Sequence, residues 1–147
     1  MKGLIQRVSQ ASVCVNGSVV GQIERGLLLF IGVEKKDDAP SALKLCRRVV
    51  RYRVFPDEAG RMNMSLLDSG GSLLIVPQFT LSADTRSGNR PSFSSAGVPA
   101  EANDLFKVFV TEAEALLSAE RVAVGKFGAD MKVSLINDGP VTFLLQV

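Results

Sequence analysis

Any chemistry in this 147-residue chain has to come without histidine, because the sequence contains none. A Ser-His-Asp triad, a Cys-His pair and a histidine-ligated zinc centre are therefore excluded. Two segments depart from what simple packing requires. In Val76-Pro77-Gln78-Phe79-Thr80-Leu81 a proline closes an apolar run, and Gln78 and Thr80 follow at alternate positions. In an extended chain both polar side chains face the same way. Such a pair at a strand end is more often a sheet edge than a catalytic pair. A nucleophilic Thr80 needs a base beside it, and no motif supplies a lysine or carboxylate there, so its hydroxyl reads as a positioning group. The second segment is Asn137-Asp138-Gly139-Pro140-Val141-Thr142, a Gly-Pro pair between two apolar runs. It reads either as a hairpin turn or as a rigid display of main-chain atoms, since an X-Pro bond can be held cis and glycine leaves the backbone uncovered.

The elements that carry these segments follow from periodicity. Short strands are expected at Leu4–Val8, Ala11–Val15 and Val19–Ile23, with Asn16-Gly17 as a hairpin turn. The run Leu27–Val33 is apolar on both faces and predicts a central strand. Asp38-Ala39-Pro40-Ser41 starts a helix that buries Cys46 and turns Arg47, Arg48 and Arg51 outward. A polar loop spans 56–63, Ser69–Ser72 is a turn, and Leu73–Val76 is a buried strand. The long Ser/Gly/Arg/Pro-rich stretch 82–99 has the marks of a functional or mobile loop. Ala102, Leu105, Phe106, Phe109, Val110, Ala113, Leu116 and Leu117 then define a second helix. Three closing strands are expected at 121–124, 131–136 and 141–147. The fold class is α+β: a mainly antiparallel sheet or partly open barrel with two amphipathic helices, in one compact domain over 1–147.

Net charge is only +2, but its distribution is uneven. Lys44, Arg47, Arg48, Arg51, Arg53 and Arg61 oppose only Asp57 and Glu58, whereas Glu101, Asp104, Glu112, Glu114 and Glu120 oppose Lys107 alone. The basic stretch is either a solvated helix face or a phosphate-contacting surface. Cys14 and Cys46 show no CxxC pattern and read as reduced thiols of a cytosolic protein. No metal or cofactor is expected. The early break in the N-terminal apolar run argues against a signal peptide, and no stretch reaches membrane-spanning length.

The sequence resembles the D-aminoacyl-tRNA deacylases almost end to end. The resemblance is carried by Leu4-Ile5-Gln6-Arg7-Val8, Ala11-Ser12-Val13, Gly26-Leu27-Leu28, Gly32-Val33-Glu34 and Met62-Asn63. Its strongest parts are Gln78-Phe79-Thr80-Leu81, Ala83-Asp84-Thr85, Gly88-Asn89-Arg90-Pro91-Ser92-Phe93 and Phe127-Gly128-Ala129-Asp130-Met131. It ends with Val133-Ser134-Leu135 and Asn137-Asp138-Gly139-Pro140-Val141-Thr142. The resemblance implies a cytoplasmic hydrolase of translation quality control that binds tRNA, cleaves the ester of D-aminoacyl-tRNA and also clears mischarged glycyl-tRNA. It implies a homodimer with the active site at the subunit interface, and no membrane or DNA partner. Gln78, Phe79 and Thr80 are the implied catalytic residues. A cis Gly139-Pro140 bond with Asn137 is implied as the chiral selector reaching into the partner's pocket. Arg7, Phe127 and Met131 match residues around that site; taken singly, they also fit a surface charge and two core side chains. The family's usual Ser-Gln-Phe-Thr is here Pro77-Gln78-Phe79-Thr80, so no serine hydroxyl acts at that position. Two other functions stay open: a catalytically impaired tRNA-binding module, and a generic small-ester hydrolase.

Overall fold

A computed structural model describes residues 1–147. Strand β1 (Lys2–Val15) is the organising element. Its length lets it pair β8 (Lys132–Gln146) along one edge while the other edge pairs β3 (Gly26–Gly32) through residues 2–8 and β2 (Ser18–Ile23) through residues 11–15. The two strands expected over 4–15 are thus one. The Asn16-Gly17 turn has both residues at positive φ, 49° and 81°, as a tight hairpin requires.

From β3 the sheet continues to β6 (Ser72–Pro77) and β7 (Val122–Val124), and both of those pairings are parallel. The sheet is therefore mixed, with the antiparallel part gathered around β1. Strand β2 curls back toward β7, and a Cβ on Gly21 would sit 3.0 Å from the Val124 carbonyl oxygen. The result is the nearly closed, barrel-like sheet of an α+β fold.

Helix α1 (Ala39–Arg51) begins where Asp38 accepts hydrogen bonds from the Ser41 amide at 2.9 Å and hydroxyl at 2.6 Å, with Pro40 in the first turn. It packs with α3 (Pro99–Leu117) on one sheet face. Leu27, Leu29, Ile31, Leu73 and Ile75 point to the helices, while Leu28, Leu74 and Val76 join Val8, Val13 and Ile23 on the other side. This two-sided burial is why β3 and β6 are continuous apolar runs.

Three further features depart from the sequence expectation. The stretch 56–63 carries a small hairpin of β4 (Phe55–Pro56) and β5 (Met62–Met64). A third, short helix α2 (Leu66–Ser69) is fixed by a reciprocal Ser65–Asp68 capping box; four residues are too few for helical periodicity to register. The closing strands 131–136 and 141–147 are one strand: β8 pairs β1 on both sides of Gly139-Pro140, which stands out as a bulge and not as a hairpin turn. Between Gln6↔Thr142 and Val8↔Asn137, two steps along β1 are matched by five along β8. No helix is long and apolar enough to cross a membrane.

Candidate active site

Pro77 ends β6, and the chain turns into a 3-10 helix over Phe79–Ser82 in place of continuing as a strand edge. Gln78 and Thr80 still meet, because the Gln78 carboxamide Nε2 donates to Thr80 Oγ1. The Gln78 amide is held by the Ile31 carbonyl at 2.8 Å. A turn that opens at Phe79 leaves its first N–H groups without acceptors inside the turn, and no side chain caps it. The Phe79 and Thr80 amides are consequently available to a ligand.

The turn is seated on Gly32, where an added Cβ would lie 2.9 Å from Leu81 Cβ and 3.1 Å from both the Gln78 carbonyl oxygen and Ser82 Oγ. Gly32→Ala is expected to lower stability by about 1–3 kcal/mol through overpacking and to displace the Gln78–Thr80 pair; denaturant unfolding of the purified variant measures the first. Behind the turn, Ser82 Oγ and the Gly97 amide both bond the Val33 carbonyl, at 3.1 and 3.0 Å. The 83–98 loop is thereby tied to the end of β3.

Beside Gln78 and Phe79 lies a cavity of about 250 Å³, walled by Ile31, Val33, Ala102, Phe106 and Phe127 and rimmed by Pro77, Ala96 and Gly97. None of the residues lining it ionises. Phe79 is 61% exposed and leans on Phe93 with ring centroids 5.1 Å apart. Sequence reasoning did not identify Phe106 or the 96–97 rim as pocket residues, nor Phe93 as the ring beside Phe79. The run of aromatics on one face of α3 was the available signal for Phe106.

The remaining candidates form a second group. Asn137 Oδ1 accepts from the Val141 amide at 2.8 Å and its Nδ2 donates to Thr142 Oγ1 at 2.9 Å, closing the base of the bulge. Arg7 donates through Nε to the Asp138 carbonyl at 2.8 Å and through Nη1 to the Val54 carbonyl at 2.6 Å. Gly139 and Pro140, joined by a cis peptide bond, are exposed at the tip. Neither lines the cavity beside Phe79. Within one chain the Gln78-Phe79-Thr80 turn with Phe127, and the Arg7–Asn137–Gly139–Pro140 bulge, are separate constructions. Met131 belongs to neither rim; it packs against the core on the β2 side of the sheet, next to Gly125.

Electrostatics around the cavity are quiet. Burial, reinforced by the Glu112 carboxylate, pushes the Cys46 thiol up to about 12, so it is an inert core side chain. Hydrogen bonds from Arg86 hold Asp84 well below the usual carboxylate range, and bonds from Ser41 and Ser65 lower Asp38 and Asp68. Depressed carboxylates stabilise the fold fully above the unfolded value of about 3.9 and lose that contribution as pH falls through the folded value. Melting temperature is accordingly expected to change little above about pH 5 and to fall below about pH 4, as followed by circular dichroism.

The fold and site define an α+β protein whose barrel-like sheet carries an apolar pocket without any ionisable lining, beside a 3-10 turn that no side chain caps. The particular family is given by comparison with known proteins: residues 4–146 match the D-Tyr-tRNA(Tyr) deacylase family, and the chain belongs to it. A D-aminoacyl-tRNA deacylase of Marinobacter nauticus is 62% identical over 99% of this chain and 94% of its own length. Another, from Pseudoalteromonas translucida, is 56% identical over the full length of both. Among solved structures, a protein described as c-Myc DNA unwinding element binding protein superimposes with a TM-score of 0.96 at 35% identity, covering 100% of this chain and 99% of that one. A probable eukaryotic D-amino acid tRNA deacylase shares the fold, with a TM-score of 0.89 at 16% identity over 99% and 98%.

Proposed function

We propose that this chain is a cytoplasmic chiral-proofreading hydrolase whose single domain, residues 1–147, binds the 3′ end of D-aminoacyl-tRNA and cleaves its ester, releasing the free D-amino acid and tRNA. Mischarged glycyl-tRNA is a second substrate. The observation that carries this reading is an apolar pocket with no ionisable side chain in its lining, beside an uncapped 3-10 turn that opens at Phe79. An aminoacyl ester is already activated by its neighbouring ammonium and ribose hydroxyl, so it needs orientation and oxyanion stabilisation more than a strong base.

In the reaction, a water oxygen bonds to the ester carbonyl carbon and the negative charge gathers on the carbonyl oxygen, facing the Phe79 and Thr80 amides. The bond from carbon to the ribose oxygen then breaks, and the proton released by water ends on that ribose oxygen by way of the adjacent 2′-hydroxyl. Thr80 Oγ1 accepts from Gln78, which leaves its own proton free to donate to water or ester. Thr80 thus positions, and Gln78 fixes Thr80.

Selection by exclusion falls to Gly139-Pro140: main-chain carbonyls stand where an L side chain would project, and glycine has no side chain to reject. Arg7 and Asn137 brace that tip from both ends. Because the tip does not line its own chain's cavity, the reading requires a homodimer in which each tip enters the partner's pocket. Ile136 and Leu144, 53% and 57% exposed on β8, and the outer edge of β8 itself are available for that association. No metal, cofactor, membrane or DNA takes part.

Purified protein given D-tyrosyl-tRNA and, separately, free D-tyrosine ethyl ester tests the reading. Turnover of the tRNA ester alone is expected, from a species sizing as a dimer. Cleavage of the simple ester at a comparable rate marks a generic hydrolase, and binding without turnover marks an impaired module.

A further inference from the structure

The basic stretch 44–61 is divided by the structure into cations used inside the fold and cations left over. Arg47 is spent on Glu112 at 2.7 Å, and Arg48 on the Gln146 carbonyl at 2.9 Å. Arg53 gives only its Nε, to the Asn63 carbonyl at 2.7 Å, and keeps the rest of an exposed guanidinium unbonded. Arg51 and Arg61 are exposed and make neither an ion pair nor a side-chain hydrogen bond. The nearby Asp57 carboxylate is turned onto the Ala59 and Arg61 amides at 2.9 Å each, leaving Glu58 as the opposing free charge.

What makes this surplus informative is its position. The Arg7 guanidinium holds the Asp138 carbonyl with one nitrogen and the Val54 carbonyl with another, and Tyr52 packs edge-on against Phe143 with centroids 5.5 Å apart. The segment 51–54 is therefore fastened to the base of the Gly139-Pro140 bulge, and the β4–β5 hairpin next to Arg61 is tied to that segment through the Arg53 Nε–Asn63 carbonyl bond. Phosphate oxygens are natural partners for free guanidinium groups, which bind them bidentately.

We propose that Arg51, Arg53 and Arg61 form a phosphate-contacting surface for the acceptor arm of the tRNA whose 3′ end is being read by the adjacent Gly139-Pro140 tip. The inference rests on the function proposed above. It adds that the subunit lending the tip also grips the RNA, so one tRNA is held by the pocket of one subunit and the arginines of its partner. Selection of the amino acid and capture of the nucleic acid then arrive on a single braced unit.

The test compares two substrates, D-tyrosyl-tRNA and the 3′-D-tyrosyl ester of adenosine alone, in wild type and in Arg51→Glu/Arg61→Glu, which breaks no ion pair or side-chain hydrogen bond. In the double variant kcat/KM on the tRNA is expected to fall roughly tenfold or more, and the slope of its logarithm against log salt to flatten by about 2. On the adenosine ester the variant is expected to match wild type. Unchanged activity on tRNA overturns the inference, and so does an equal loss on both substrates, which would mean that the arginines act on the pocket itself. Failure of wild type on both substrates would instead overturn the proposed function.

Discussion

Gly139→Ala is expected to cut kcat/KM on D-tyrosyl-tRNA by about 10²-fold, the cost of a displacement near 1 Å at a reacting centre. An added Cβ would lie 2.6 Å from Val141 Cγ2 and 2.7 Å from the Val141 nitrogen. That nitrogen is already committed to Asn137 Oδ1, so the neighbour cannot give way without opening the base of the bulge. The tip must move instead. Because the bulge is exposed, global stability should change far less than activity, and steady-state kinetics with a thermal melt on the same sample separates the two. A variant that keeps wild-type turnover would remove Gly139 from the site.

The second large effect concerns the turn at Phe79. Replacing the Thr80 peptide N–H by an ester oxygen, with the side chain kept, is expected to lower kcat by about 10²–10³-fold, the usual cost of one lost oxyanion donor. Thr80→Val removes the hydroxyl and keeps the amide. If Thr80 only positions water and ester, this change should cost about tenfold to a hundredfold less than the amide-to-ester change. Complete loss in Thr80→Val together with an acyl-enzyme trapped on Thr80 of the wild type would make the hydroxyl a nucleophile. Single-turnover kinetics on the semisynthetic and recombinant proteins resolves these outcomes.

Much of the architecture was readable from periodicity, for physical reasons that also explain the misses. β3 declares itself because both of its faces are buried, and α3 because its apolar stripe persists over nineteen residues. The join across Gly139-Pro140 was not readable as a strand. A Gly-Pro pair between apolar runs carries the same local signal whether the chain reverses or bulges, and only the β1 partner on both sides decides. The parallel pairing of β6 with β3 and β7 is likewise a matter of tertiary order, which no local pattern encodes.

The site divides in the same way. Gln78, Phe79 and Thr80 are adjacent in sequence, so their grouping survived the change from an expected strand edge to a 3-10 turn. Arg7 was identifiable only through resemblance, because its work is done on carbonyls 47 and 131 residues away. Nothing in composition distinguishes Arg51 and Arg61 from Arg47 and Arg48; the ion pair with Glu112 and the bond to Gln146 do.

Under the proposed function, rigid peptide groups and not titrating side chains tell mirror-image esters apart. The most direct measurement is the ratio of kcat/KM for D-tyrosyl-tRNA to that for L-tyrosyl-tRNA, taken on the wild-type protein with glycyl-tRNA alongside. Exclusion by a fixed main chain predicts rapid loss of the D and glycyl esters and survival of the L ester, since no reorientation relieves the clash. Comparable loss of D and L esters would contradict it.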